Sequence, residues 1–362
     1  MEKCKAEYVG KNRNGTSRYW CMTHHAPMSD NKGSLLEHCL ASSFIIPETE
    51  ENSLTISPTD YPGGIALWGA ALAVYETTPY NLDLGIHVHA RKEVGGQKQI
   101  DKTFRYVHVK HDNAVVSFDY LASISYLTSN MLEHEMEYLV CPKCGAPHLD
   151  KDWFAANPHK RHLCTNCGRN FYSQFLSIGN PMIKAKEIFG DTQIHREIVR
   201  PNRKLEIWQR DFPFGVSLWG SNAALLWTSP KTEEYGIHVH AHAEDSLRPT
   251  IDETYDSVTI DGIPLDVEMV RLYMVQKTLP FLNERICVLR CPKCKQYHLD
   301  VGEHSYTPHR EHHCKQCGTV FTTHKKVIGN PMDDFIIELH KHSNLTLKSN
   351  SITDYYPGLA GW

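Results

Sequence analysis

The 362-residue chain lacks a basic excess: 38 lysines and arginines face 42 aspartates and glutamates, a formal net charge of −4. A general nucleic-acid coat or a membrane-surface protein carries the opposite balance, which leaves room only for a local basic patch. Long apolar runs are lacking too. The longest extends from Ile65 to Tyr75, well short of a bilayer span. The opening MEKCKAEYVGKNRNG holds no apolar segment of the kind a secretory signal needs. The expectation is a cytoplasmic chain with no membrane segment, in which the sequons at Asn14 and Asn344 carry no meaning.

Several catalytic signatures are missing as well. There is no Walker-type glycine loop, no G-x-G-x-x-G after a strand and no G-x-S-x-G elbow. The nucleobase-deaminase pattern fails because Pro142 follows Cys141 instead of preceding it.

What the chain has in quantity is cysteine and histidine, 12 and 23 residues respectively. A disulfide scaffold is short and secreted, whereas these cysteines fall mostly in C-x-x-C or C-x-x-H pairs in a long chain. That points to zinc in a reducing compartment.

Sliding the chain against itself exposes a duplication. Residues 53–90 align without a gap on 204–241, with 17 of 38 positions identical, including LWG and GIHVHA. Residues 141–182 align on 291–332 with 19 of 42 identical, from CPKC to IGNPM. Between these blocks the copies share only Ile100-Asp101 and Thr103 against Ile251-Asp252 and Thr254. The domains expected are an N-terminal zinc-binding unit 1–45, repeats 53–182 and 204–332, and a tail 333–362. The stretch 183–203 reads as a linker with a short helical part, and the tail carries a helical turn or two around 334–342.

Periodicity places strands at IALWG and GIHVHA and helices over 118–136 and 265–284. The fold class is α+β: a tandem duplication of an α+β module, each copy closed by a zinc ribbon, with a helix packed on a small sheet.

Each copy presents C-x₂-C, nineteen residues, then C-x₂-C-G: Cys141, Cys144, Cys164 and Cys167 first, then Cys291, Cys294, Cys314 and Cys317. Two short-spaced thiolate pairs surround one Zn²⁺ tetrahedrally and leave no position for a substrate. The following glycine suits a tight knuckle. Both segments resemble zinc ribbons over about thirty residues each. That resemblance implies the metal and says nothing about activity. Cys4, Cys21, His24 and Cys39 offer a third, Cys₃His zinc site, with His25 or His38 as substitutes, unless these cysteines are incidental to a flexible arm. Cys287 is then left over as a buried apolar residue on a strand.

Histidines beyond these sets recur with the duplication. His148, Asp150, His159 and His162 match His298, Asp300, His309 and His312. Either they brace the ribbon loop or they build a second metal site or polar pocket. His87 and His89 match His238 and His240, and an i, i+2 pair on a strand shares one face. These four are the candidate catalytic residues. Glu93 and Glu244 complete an H-x-H-x₃-E spacing like that of cupins, but the surrounding glycines are absent and no assignment follows. His242 and Asp245 occur only in the second copy, which makes it the better candidate if one copy alone is active. Trp68 and Trp219 recur as core aromatics or as stacking platforms.

Two functions fit. One is a zinc-stabilised recognition protein whose target is nucleic acid or protein, with basic patches at 159–162 and 309–313. The other is a metal-dependent enzyme, hydrolytic in kind, that uses the H-x-H strands with the loop histidines.

Overall fold

The structure is a computed structural model that describes residues 4–11, 15–23, 26–29, 32–39, 48–69, 73–76, 85–111, 114–151, 153–190, 198–220, 226–228, 233–244, 249–278, 285–305 and 307–341. It is a mixed α/β protein, mostly strands with few helices, in which a four-cysteine unit occurs twice. No helix among the described residues is long and apolar enough to cross a membrane. The chain divides into two compact units. The first includes Met1–Ile65 and Gly85–Thr192, and the second is Ala66–Leu84 with Gln193–Ile352.

In the first unit, Ser17–Cys21 is the middle strand of a sheet with Ala6–Lys11 and Ala26–Pro27. Its buried Val9 and Trp20 press on the first ribbon, where a Cβ on Gly168 would lie 3.0 Å from carbons of both. Beside that contact Arg169 pairs with Glu7 at 3.0 Å. Farther on, Ser53–Ile56 runs parallel to Tyr106–His111, which pairs antiparallel with Ala114–Asp119. Asp119 then caps the helix Tyr120–Met131, its carboxylate accepting from the Ala122 N–H at 2.9 Å. The helix therefore starts inside the expected 118–136, because Asp119 is spent on the cap. Its Tyr120, Ile124 and Leu127 are buried, at helical spacing.

The strand Ile86–Arg91 pairs antiparallel with Ile100–Phe104. Alternation decides its faces: Ile86, Val88 and Ala90 are at 0% exposure, so His87 and His89 occupy the opposite face. After the ribbon, Met182–Gly190 is a helix that buries Met182, Ala185 and Phe189. The first part of the expected linker is thus packed structure, and residues 191–197 lie outside those described.

The second unit repeats this plan. Lys204–Ile207 runs parallel to Ser257–Ile260, which turns through Asp261-Gly262, both left-handed, into Ile263–Asp266. Ile237–Ala241 lies between Ile251–Tyr255 and Val216–Gly220. The helix Val267–Thr278 sits within the expected 265–284, of which 279–284 lie outside the described residues. The helix Met332–Lys341 answers the expected tail helix and mirrors Met182–Gly190 after the first ribbon.

The outermost strand of the second unit's sheet comes from the other repeat. Tyr75–Glu76 pairs with Leu218 and Ser217. In return Leu226–Trp227 pairs with Leu67 and Ala66. Tyr75 aligns with Leu226 and Leu67 with Leu218 at the offset of 151, so the repeats trade equivalent short strands. The traded strand is anchored by buried Tyr75, whose hydroxyl donates to the Gln209 side chain, and by the Val74 N–H on Leu218 at 2.9 Å.

Candidate metal centres

The ribbon cysteines converge as their spacing requires. In the first ribbon Sγ–Sγ distances are 3.9 Å for Cys141–Cys167 and 3.6 Å for Cys144–Cys164. In the second both Cys291–Cys317 and Cys294–Cys314 are 3.6 Å. A tetrahedron of sulfurs about 2.3 Å from zinc has edges of about 3.8 Å, so both groups could hold zinc. All twelve cysteines are free of disulfides. Each knuckle closes by an N–H donated back to a cysteine carbonyl, Gly168 to Cys164 and Gly318 to Cys314, both at 2.8 Å. Gly168 and Gly318 both have φ 68°, the left-handed turn that favours glycine.

Each ribbon also has a cysteine biased toward thiolate. Burial pushes the Cys144 thiol up, yet hydrogen bonds from the Asn166 side chain and the Ala146 backbone outweigh it and bring it down to about 6. Hydrogen bonds with the Thr319 hydroxyl and backbone bring Cys317 down to about 6 as well. Thiolate is the form that binds zinc.

The N-terminal cysteines also meet. Cys4, Cys21 and Cys39 have ligand atoms within 4.8 Å of one another, with Cys4–Cys39 at 3.7 Å. His24 and His25 lie outside the described residues, and His38 is exposed. Cys287 is on the strand Ile286–Cys287 opposite Gly329, but it is half-buried and not the buried core residue expected. Two-residue pairing leaves that strand too short to cover it.

The loop histidines gather around the aspartate of their own ribbon. Asp150 Oδ1 lies 2.7 Å from His148 Nε2 and 3.2 Å from His159 Nε2. Its Oδ2 lies 3.1 Å from His162 Nδ1 and accepts the Gly179 N–H at 2.6 Å. In the second ribbon the same contacts to Asp300 are 2.6 Å for His298, 3.2 Å for His309, 3.2 Å for His312 and 2.6 Å for the Gly329 N–H. Burial pushes both carboxyls up, and the hydrogen bonds overcome it, holding Asp150 well below the usual range and Asp300 lowered from its ordinary value. The glycine of each IGNPM is required here. A Cβ on Gly179 would sit 2.5 Å from His148 Cδ2, and one on Gly329 2.7 Å from His298 Cδ2. None of these histidines braces a thiolate among the hydrogen bonds found.

The H-x-H strands build a different group. Antiparallel register sets His89 opposite Asp101 and His87 opposite Thr103, all four on the face away from the core. His87 Nε2 and His89 Nε2 are 3.0 Å apart, and each is 3.1 Å from Asp101 Oδ1. The second repeat has the same triangle: 3.1 Å between His238 Nε2 and His240 Nε2, with Asp252 Oδ1 at 3.3 and 3.2 Å. Thr103 and Thr254 hold His87 Nδ1 and His238 Nδ1, each at 3.0 Å. Three ligands of a tetrahedral ion at 2.0–2.1 Å stand about 3.3 Å apart, so both triangles have the size of a metal-binding face.

The second face is open, with side-chain exposures of 32%, 30% and 45% for His238, His240 and Asp252, whereas His89 of the first is at 14%. Hydrogen bonds from the two imidazoles hold Asp252 well below the ordinary carboxylate range. Trp219 flanks the second triangle, its ring 4.9 Å from that of His240. It is half-buried on the histidine face, outside the core where an aromatic of the LWG strand is expected, and Trp68 is half-buried likewise. Glu93 and Glu244 are exposed beyond their strands, so the carboxylate of each group comes from the neighbouring strand. Asp245 lies outside the described residues.

Asp101 and Asp252 are the candidate ligands that spacing along one strand misses. Their signal was the small island of identity, Ile-Asp-x-Thr, in an otherwise divergent stretch. Compared with known families, curated proteins and solved structures, the chain has no match in any of the three.

Proposed function

We propose that this protein is a metal-dependent enzyme that carries strand-borne His₂Asp sites beside its zinc ribbons, and that its reaction is hydrolytic. The observation that supports this reading is the triangle of His238, His240 and Asp252, with edges of 3.1–3.3 Å on a half-exposed face. Three protein ligands leave a position for water, which the closed sulfur shells of the ribbons do not. His238, His240 and Asp252 would hold a divalent ion, which when bound would supply a hydroxide near neutral pH. Asp252 contributes the charge that draws the ion in. Thr254 fixes the His238 ring with Nε2 inward, as an outer hydrogen-bond partner does at metal sites. Trp219 offers a flat apolar wall to a substrate.

The test is metal counting on the full chain, with hydrolysis of model esters and phosphodiesters as a second readout. The His238→Ala, His240→Ala double variant is expected to lose one metal equivalent and the hydrolysis, with thiolate-bound zinc intact. An unchanged metal content defeats the reading.

A recognition role has its own support. The first ribbon hairpin exposes Tyr172, Phe175 and Leu176 at 72%, 58% and 56%, and the aligned Thr322, Lys325 and Lys326 of the second are exposed polar residues. It is weakened because His162 and His312 of the basic stretches turn inward to aspartate. Absence of any electrophoretic shift with DNA or RNA at low salt removes its nucleic-acid branch.

A further inference from the structure

We propose that each aspartate hub is an additional divalent-metal site, held by Asp150, His159 and His162 in the first ribbon and by Asp300, His309 and His312 in the second. The argument is an inventory of hydrogens. His159 Nδ1 is 2.9 Å from the Asn157 carbonyl, which can only accept, so Nδ1 carries the proton. The Ser173 hydroxyl has one hydrogen and donates it to the Phe175 carbonyl at 2.6 Å. Its oxygen is therefore the acceptor for His162 Nε2 at 3.0 Å, and Nε2 carries that proton.

Both rings have thus placed one hydrogen on their outer nitrogens. Their inner nitrogens, His159 Nε2 and His162 Nδ1, face the Asp150 carboxylate at 3.2 and 3.1 Å. Acceptor faces acceptor unless something positive lies among them. Either both rings are imidazolium or a cation is bound. Two imidazoliums against one carboxylate leave a net positive charge where His162 is at 0% exposure and His159 at 13%. Burying an uncompensated charge is costly. A metal ion removes the conflict with neutral rings, and a ring whose other N–H is anchored on a carbonyl or hydroxyl is how metal-bound histidine is normally held.

The second ribbon repeats the inventory with different residues. His309 Nδ1 is 2.9 Å from the Thr307 carbonyl. Thr323 donates to the Lys325 carbonyl at 2.7 Å and accepts from His312 Nε2 at 3.3 Å. Ser173 and Thr323 differ in type yet play the same part, which points to the hydrogen pattern as the property kept.

His148 and His298 have another role. Although His148, Asp150 and His162 have ligand atoms within 4.8 Å, the 2.7 and 2.6 Å contacts of His148 and His298 to the carboxylates are N–H···O distances. They are short for neighbouring ligands of one ion, about 3.3 Å apart. The buried His148 Nδ1 also has no partner among the described residues, so nothing anchors that ring for ligation. These histidines orient the carboxylate. The donor set of two imidazoles and a carboxylate suits Zn²⁺, in a harder environment than the neighbouring sulfurs.

This site shares no residue with the H-x-H triangles, so its test is separate. In the full chain, His159→Ala with His309→Ala is expected to remove two metal equivalents. Cobalt-substituted protein should keep its thiolate charge-transfer bands, showing that the ribbons stay loaded. Unchanged metal content overturns the proposal. Should the variant fail to fold, ¹⁵N spectra of histidine-labelled wild-type protein decide the matter. One protonated nitrogen per ring at His159, His162, His309 and His312 supports the site, and two protonated nitrogens per ring overturn it.

Discussion

At the first H-x-H face an ammonium group lies against the ligand triangle, and at the second the aligned residue is Pro249. Lys98 Nζ is 3.3 Å from His89 Nε2 and 3.6 Å from Asp101 Oδ2. Burial, Lys98 and His87 together push the His89 imidazole down to about 3. Among the described residues no lysine or arginine contacts Asp252. The candidate ligands thus recur in both stretches and the charge beside them does not. A cation approaching the first triangle meets one already there, while the second offers a carboxylate whose recorded partners are its two histidines. The two aligned stretches share the donor geometry and differ in whether the protein itself fills the cation's place.

The largest expected effect is a contrast between equivalent substitutions. Asp252→Asn should weaken tight metal binding by more than the about 10- to 100-fold typical of outer-shell changes, whereas Asp101→Asn should barely alter it. A competitive chelator titration reads both, and equal losses erase the distinction between the copies. Next in size is a gain of function. Removing the ammonium by Lys98→Ala should raise affinity at the first triangle by about 10- to 100-fold, on the scale of a unit charge at this range in a half-exposed site. Isothermal titration should then resolve a second equivalent binding event; its absence shows that Lys98 is not what holds the first site back.

Thr103→Val and Thr254→Val should each free a histidine ring and cost about tenfold in metal affinity, the low end for such outer partners. Because both threonines make the same 3.0 Å contact, the loss at Thr254 should show in the wild-type chain and the loss at Thr103 only after Lys98→Ala. The smallest effect concerns salt. Raising ionic strength toward about 1 M should narrow the gap between the copies, since the Lys98 contribution is partly screened. A gap independent of salt assigns it to geometry and not to charge.

Acid should act on the first face in a particular direction. His89 is lowered in the folded chain from its ordinary value near 6.5 to about 3. The unfolded chain therefore takes up a proton first as pH falls. Stability contributed at this position is complete above about 6.5 and is lost progressively toward about 3, and Lys98→Ala should shorten that window from its acid end. Denaturant titrations at stepped pH measure it.

Much of this was readable before any fold was seen. Thiolate pairs at C-x₂-C spacing converge because local geometry alone brings them together, and both ribbons follow it. The shared face of His87 and His89 follows from strand alternation. Asp101 and Asp252 were not readable as ligands, because their place depends on cross-strand register, which no single strand encodes. The sequence spacing to Glu93 and Glu244 pointed instead at residues that the turn carries into solvent. Asp150 and its histidines stood out as a repeated set, but their union depends on Gly179, 29 residues away, closing on the carboxylate. The traded strands left no trace, since Tyr75 and Leu226 are aligned but not identical.

Those traded strands bear on ancestry. Each aligned copy carries a short strand, Tyr75–Glu76 or Leu226–Trp227, that pairs with a strand of the other copy. Two separate copies would satisfy each other by swapping these strands, giving a closed symmetric pair. Fusing two such genes end to end would turn that dimer into one chain without moving a strand. Were the internal similarity the product of such a fusion, one half would be free to change, as at Lys98, while the other kept the donor pattern.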